Sequence, residues 1–297
     1  MDKQIEEFEN YLRNVKKTKE NTVLSYLRDL RILLEAMERR GIYDAKDITE
    51  DVLSSFFAGL KEEHRANSSV IRNYTSIRSF FRYLVDNGDI TENPAENLHA
   101  PRAEKKKPRI LNEKEVGFLL AQEYTNDPKG KRDRAILELL YATGLRATEL
   151  VALKLSNIDM SLGCLRMDDK RLIPYGAEAK DALNDYFLYG REYYIKKIND
   201  NSLKEKELVF LNYNGEAMSR QGLWKLIKGY VKKAGIDENI TPYTLRHSFA
   251  KHLIDSGADA SAVQEIMGYT DVGTVTRLVP KDRKNKDPYS WARLRNN

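Results

Sequence analysis

The sequence predicts a mainly α-helical fold with one small β-sheet, an α+β protein in two parts. Three observations carry this. Helical periodicity runs through the first hundred residues, a proline- and lysine-rich stretch then interrupts it, and short strand-like segments follow among further helices.

The first helix carries Phe8, Tyr11 and Leu12 at helical spacing. Asn21 and Thr22 precede VLSYLRDLRILLEAMERRG, in which Leu24, Leu27, Leu30 and Leu34 mark the expected core face and Gly41 the expected end. A third helix follows Thr49 and presents Val52, Phe56, Phe57 and Leu60. A fourth, SSVIRNYTSIRSFFRYLVDNG, presents Ile71, Tyr74, Ile77, Phe81 and Leu84 and stops at Asn87–Gly88.

The stretch NPAENLHAPRAEKKKPRIL then brings Pro94, Pro101 and Pro108 together with Lys105, Lys106 and Lys107. Proline blocks helix continuation and lysine resists burial, so the stretch reads as a linker. The expected organisation is a helical domain over 1–100, a linker over 101–110 and a mixed domain over 111–297. The linker is equally a solvated tether or a basic strap across a phosphate backbone.

The second part opens near Asn112, with Glu115 placed for a capping box. RDRAILELLYATG is a strongly apolar helix ending at Gly144. LGCLRM and RLIPYG form an expected hairpin, and LVFLN an expected third strand. Helices resume in AKDALNDYFLYGREYYIKKI, SRQGLWKLIKGYVKKAG, LRHSFAKHLIDSG and DASAVQEIMGY.

The composition is that of a well-charged globular chain of 297 residues, 41% hydrophobic and 32% charged. No apolar run reaches the length of a membrane helix. The N-terminus is charged from its second residue, unlike a secretory signal, and the single Cys164 has no partner for an internal disulfide. A reducing cytoplasm is the expected location. The net charge of +5 permits nucleic-acid binding without requiring it.

Three places depart from plain amphipathic patterning. Arg146 follows a Gly-Leu turn at the end of the apolar helix, where a guanidinium needs an anion; a ligand phosphate and a salt bridge to Glu149 fit equally. Arg246 and His247 open a helix after Pro242 and Thr244, a ready phosphate position, although an ordinary surface arginine is the commoner outcome. Arg220 and Gln221 begin a helix continuing through Trp224, Lys225, Lys228, Lys232 and Lys233. Arginine and glutamine suit base edges in a major groove, and the lysines suit phosphates. A solvated basic face gives the same pattern, with Trp224 in the core either way.

Taken in order and spacing, these segments resemble the tyrosine recombinases of the phage integrase family, in particular the Xer type. TKENTVLSYLRDL and SIRSFFRYLVDNGDITENPAENLHAPR resemble the start and exit of the N-terminal core-binding, SAM-like domain. ATGLRATELVALKLSNID resembles the first arginine box, SRQGLWKLIKGYVKKAGI the DNA-contacting helix, and TPYTLRHSFAKHLIDSGADASAVQEIMGYTDVGTVTRLV the second box and its continuation. The resemblance implies two domains closing as a C-shaped clamp on double-stranded DNA, without metal or nucleotide. Arg72 and Arg78 on the fourth helix, the linker lysines, Arg220, Gln221, Lys225, Lys228 and His247 are then the candidate DNA contacts.

In that family two arginines hold the nonbridging oxygens of one phosphodiester and a tyrosine attacks phosphorus. A lysine protonates the leaving oxygen, and two histidine positions, the second sometimes tryptophan, assist. The arginines carry over as Arg146 and Arg246. The remainder departs from the pattern. HxLR reads Tyr-Thr-Leu-Arg, so Tyr243 stands at the first histidine, and LGH reads Met-Gly-Tyr, so Tyr269 stands at the second. The nucleophile position falls on Leu278. The hairpin that carries GKGxKxR is shortened to RMDDKRLIP, with Lys170 the nearest candidate lysine. Of the four histidines, His64, His99, His247 and His252, none restores both missing positions.

The resulting expectation is a DNA-binding, nucleoid-associated recombinase homologue without cleavage activity. It would act as an accessory, architectural or competing factor, as a homo-oligomer on DNA or beside an active recombinase. Two alternatives stay open: an active recombinase using a displaced tyrosine such as Tyr289, and a protein-interaction scaffold on the same fold.

Overall fold

The computed structural model describes residues 1–63, 66–101, 108–198, 203–236, 239–269 and Val275. The chain divides into two compact units, Met1–Lys106 and Lys107–Asn297. Lys105, Lys106, Lys107, Leu278 and Tyr289 lie outside the described residues.

The first unit is helical. α1 (Asp2–Asn10) runs into a π-helical turn (Tyr11–Val15); α2 (Glu20–Glu38), α3 (Glu50–Glu62) and α4 (Asn67–Asp86) follow. Thr49 caps α3, its hydroxyl accepting from the Val52 amide at 3.3 Å. Phe8, Leu12, Val23, Leu27, Leu30, Leu33, Phe57, Ile77, Phe80, Phe81 and Leu84 are buried in one core.

The core stripe of α2 is rotated from the leucine-only reading: Val23, Leu33 and Met37 are buried, whereas Leu24 is exposed and Leu34 only half-buried. On α4 the buried face likewise starts from Val70 and Asn73, with Ile71 and Tyr74 at its margin. A polar cluster shares these buried faces. The fully buried Asp29 accepts two bonds from Arg72, at 2.9 and 2.7 Å, one from Asn73 at 3.0 Å and one from Ser76 at 3.1 Å. Buried polar side chains hide the phase of a helix from a pattern that counts apolar residues.

The second unit comprises α5 (Glu113–Leu120), α6 (Pro128–Thr143), α7 (Ala147–Val151), β1 (Ile158–Asp159), β2 (Cys164–Arg166), β3 (Leu172–Pro174), α8 (Ala177–Tyr189), α9 (Arg191–Ile195), α10 (Leu203–Glu207), α11 (Arg220–Lys233), α12 (Pro242–Asp255) and α13 (Ala260–Met267). The capping box forms as read: Glu115 Oε2 accepts from the Asn112 amide at 2.8 Å, and Asn112 Oδ1 from the Glu115 amide at 2.9 Å. α6 buries Ala135, Ile136, Leu137, Leu139 and Leu140 and so touches neighbours on most of its circumference.

The sheet is antiparallel in the order β1-β2-β3, with Leu165 opposite Ile158 on one side and Ile173 on the other. Its third strand is therefore Ile158–Asp159 and not LVFLN. Residues 208–212 make only isolated bridges. Their carbonyls are taken by side chains instead, Val209 O by Tyr186 Oη at 3.1 Å and Leu211 O by Arg132 at 2.9 Å. A short apolar run is buried either way, so its composition does not distinguish the two. A second, smaller core joins Phe249, Leu253, Ile254, Val263, Met267 and Val275. Among the described residues no helix is long and apolar enough to cross a membrane.

Candidate active site

The site is built where the C-terminal ends of α6 and α13 meet α12. Gly144 closes α6 in the left-handed conformation, φ +60°. A Cβ there would stand 2.6 Å from the Phe249 ring, so only glycine lets this helix end approach α12. The carbonyl thus presented, Gly144 O, accepts from Arg246 Nη1, and Met267 O at the end of α13 accepts from Nη2. Arg246 is not an ordinary surface arginine: it lies in the second turn of α12 and is 3% exposed. The negative ends of two helix dipoles favour a buried cation there. Burial pushes its guanidinium below the ordinary value, yet an arginine remains charged.

Arg146 is the N-cap of α7. Its amide donates to Glu149 Oε2 at 2.7 Å, its Nη1 to Glu149 Oε1 at 2.7 Å, and its Nη2 to Gly268 O. The salt bridge to Glu149 therefore exists, and the side chain is still 41% exposed. Arg171, just before β3, also donates to Glu149 Oε1, then to Asp169 at 2.6 Å and to Ile266 O at 3.2 Å. Burial pushes the Glu149 carboxyl up, and the bonds from Arg146 with the charges of Arg171 and Arg146 reverse this to a net lowering.

Tyr269 covers Arg246, the guanidinium carbon 4.8 Å from the ring centroid. Burial raises its phenol against the opposing charge of Arg246 and a marginal side-chain contact with it, and among the described residues its buried Oη has no well-formed hydrogen bond. Tyr243 is largely exposed and meets His247 edge-on, ring centroids 4.0 Å apart. His247 itself is buried with both ring nitrogens unpartnered among the described residues. Burial and then Arg246 lower its basicity, so the ring is neutral near pH 7. At 3% exposure it stands inside the unit and not on its surface, contrary to its place among the candidate DNA contacts.

Lys170 is exposed at the tip of the hairpin in a left-handed conformation, φ +68°, and makes no ion pair among the described residues. The cation that the hairpin sends inward is Arg171. Strand alternation held the clue: Ile173 is buried between exposed Leu172 and Pro174, and Arg171 is the next residue on the Ile173 face. Beside Gly268 a cleft of about 480 Å³ opens, lined by Asp169, Arg171, Gln264 and Tyr269 among others.

On α11, Ser219 caps the helix, and Arg220, Gln221 and Lys225 are exposed on one face with Lys228 beside them. Trp224 joins that face, 38% exposed with Lys228 Nζ 4.3 Å from its ring, and is not a core residue. Two first-unit candidates are already engaged: Arg72 holds Asp29, and Arg78 donates to Glu96 O and Oε1 at 2.9 and 3.1 Å. Among the described residues no cluster of three metal-type ligands occurs.

A helical domain followed by this arginine-centred α+β unit defines an integrase-type fold. The profile described as Phage integrase, N-terminal SAM-like domain, matches residues 5–88, and that described as Phage integrase family matches residues 109–283. The chain belongs to the phage integrase family of tyrosine recombinases, and within it is similar to the Xer proteins. Tyrosine recombinase XerD of Listeria monocytogenes serotype 4b (strain F2365) is 37% identical over 289 residues, covering 94% of this chain and 96% of its own. Tyrosine recombinase XerC of Roseiflexus castenholzii is 34% identical over 279 residues, covering 92% and 87%. Among solved structures, the Tn1549 transposon integrase in complex with circular intermediate DNA superposes with a TM-score of 0.70 at 19% identity, covering 99% of both chains. A lambda integrase dimer bound to a COC' core site gives 0.68 at 18% identity, covering 97% and 98%.

Proposed function

We propose that this chain binds double-stranded DNA as a recombinase homologue and does not cleave it by the family's mechanism. The observation that carries the reading is Tyr269 over Arg246. A phenol that burial makes still harder to deprotonate occupies the position where the family places a histidine or, in some members, a tryptophan. Tyr243 at the other histidine position and Leu278 at the nucleophile position point the same way. Arg146, Arg246 and the hairpin keep a cationic site able to hold a phosphate. The face of α11 offers Arg220, Gln221, Lys225 and Lys228 to a groove and its backbone. DNA-bound structures of the integrases named above support this partner. Residues 1–100 serve as the core-binding domain, 101–110 as the linker and 111–297 as the catalytic-like domain. The chain then acts as an accessory or competing factor, alone or beside an active recombinase.

The test mixes the purified chain with nicked suicide duplexes and resolves the products on denaturing gels, with a binding assay on the same samples. Salt-sensitive binding without an adduct is expected. A covalent adduct overturns the reading. A second reading, an active recombinase using Tyr289, draws support from the 34–37% identity to proteins named recombinases. An adduct lost in Tyr289→Phe would establish it.

A further inference from the structure

Glu149 is shared. Its Oε1 accepts from both Arg146 and Arg171, while its Oε2 accepts the Arg146 amide. The two arginines differ in kind. The Arg171 side chain is 8% exposed and locked by Asp169, by Ile266 O and by packing on Gly268, where an added Cβ would stand 2.9 Å from its Nε. Arg146 is the half-exposed one, facing outward from the same carboxylate.

We infer that Arg171 is a positioning residue that aims Arg146 at a DNA phosphate through the carboxylate they share. The inference rests on the DNA-binding reading above. An exposed pair at i,i+3 is weak and samples several rotamers. A carboxylate gripped from behind by a buried, planar guanidinium has one orientation, and the fork that pairs with it inherits that orientation. Arg171 also ties the hairpin to the end of α13, the turn whose Gly268 carbonyl receives Arg146. The place given to Arg171 also reassigns the hairpin. With Arg171 at the arginine of the hairpin's KxR, Asp169 falls at the lysine's position and Lys170 at the variable one, in keeping with the outward turn at Lys170.

The experiment is a double-mutant cycle on a duplex selected by the wild-type chain from a random-sequence pool, read as affinity against salt. Arg171→Gln is expected to weaken binding ~10-fold and to lower the salt slope by about 0.9, the signature of one lost phosphate contact. Arg146→Gln is expected to do the same, and the double variant to lose little more than either alone. Arg171→Lys, which keeps charge and loses the fork, recovers only part of the affinity. Glu149→Gln serves where Arg171→Gln fails to fold. It makes the site more positive, so weaker binding supports positioning and tighter binding overturns it. Additive losses in the cycle overturn the inference alone. Absence of salt-sensitive binding by the wild-type chain removes the DNA-binding reading, and the inference falls with it.

Discussion

The ring of Tyr269 lies over the guanidinium of Arg246, 4.8 Å from centroid to carbon, with its hydroxyl buried and lacking a well-formed hydrogen bond among the described residues. A buried hydroxyl without a partner destabilises the fold, so Tyr269→Phe should leave stability unchanged or raise it by about 1 kcal/mol in urea denaturation. If the hydroxyl meets a phosphate in the complex, the same variant weakens DNA binding. Stability and affinity moving in opposite directions would locate the hydroxyl's partner in the ligand.

His247 supplies a pH dependence. Burial and Arg246 lower its folded pKa below the ordinary 6.5, so the unfolded chain binds the proton more readily. Stability is therefore complete above the unfolded value and falls as pH drops below about 6.5 toward the lower folded value. His252, also lowered by burial, acts with the same sign. Denaturation midpoints should decline on acidification, less steeply in His247→Gln; an unchanged slope in that variant assigns the effect to His252.

Arg72→Ala tests the first unit. It leaves the Asp29 charge buried with Asn73 and Ser76 alone, which should cost about 3 kcal/mol by urea denaturation. A surface DNA contact would instead leave stability intact.

Gly144→Ala combines a left-handed backbone with a methyl group 2.6 Å from Phe249. A loss of roughly 2 kcal/mol or more is expected. Because the same turn presents a carbonyl to Arg246, duplex affinity should fall as well.

On α11 the exposed Arg220 and Lys225 are separable from folding. Arg220→Ala with Lys225→Ala should leave the thermal midpoint within a degree or so and lower the salt slope of DNA binding by about 2. An unchanged slope moves the DNA contact elsewhere.

Much of this was legible in the chain. Caps and breakers announced themselves at Thr49, Asn112 and Gly144, because a cap is a local transaction between neighbours in sequence. Spacing between boxes picked out Arg146 and Arg246, which meet neighbouring carbonyls at the end of α13, and their shared task is what the resemblance implies. The depth of Arg246 was not legible, since its partners Gly144 and Met267 come from other helices. The inward place of Arg171 beside the exposed Lys170 was legible only through strand register, because one residue turns a side chain to the opposite face of a strand. Asp29 escaped for a related reason: its partners sit more than forty residues away, and no periodicity marks a carboxylate for the core.

Arg246 joins the end of α6 to the end of α13 whether or not a phosphate ever arrives. A descendant chain can therefore shed its chemistry and still be selected to keep this arginine, because losing it would open two helix ends at once. Retention of this arginine therefore speaks to structure before chemistry, and activity has to be judged from residues that have no such second employment.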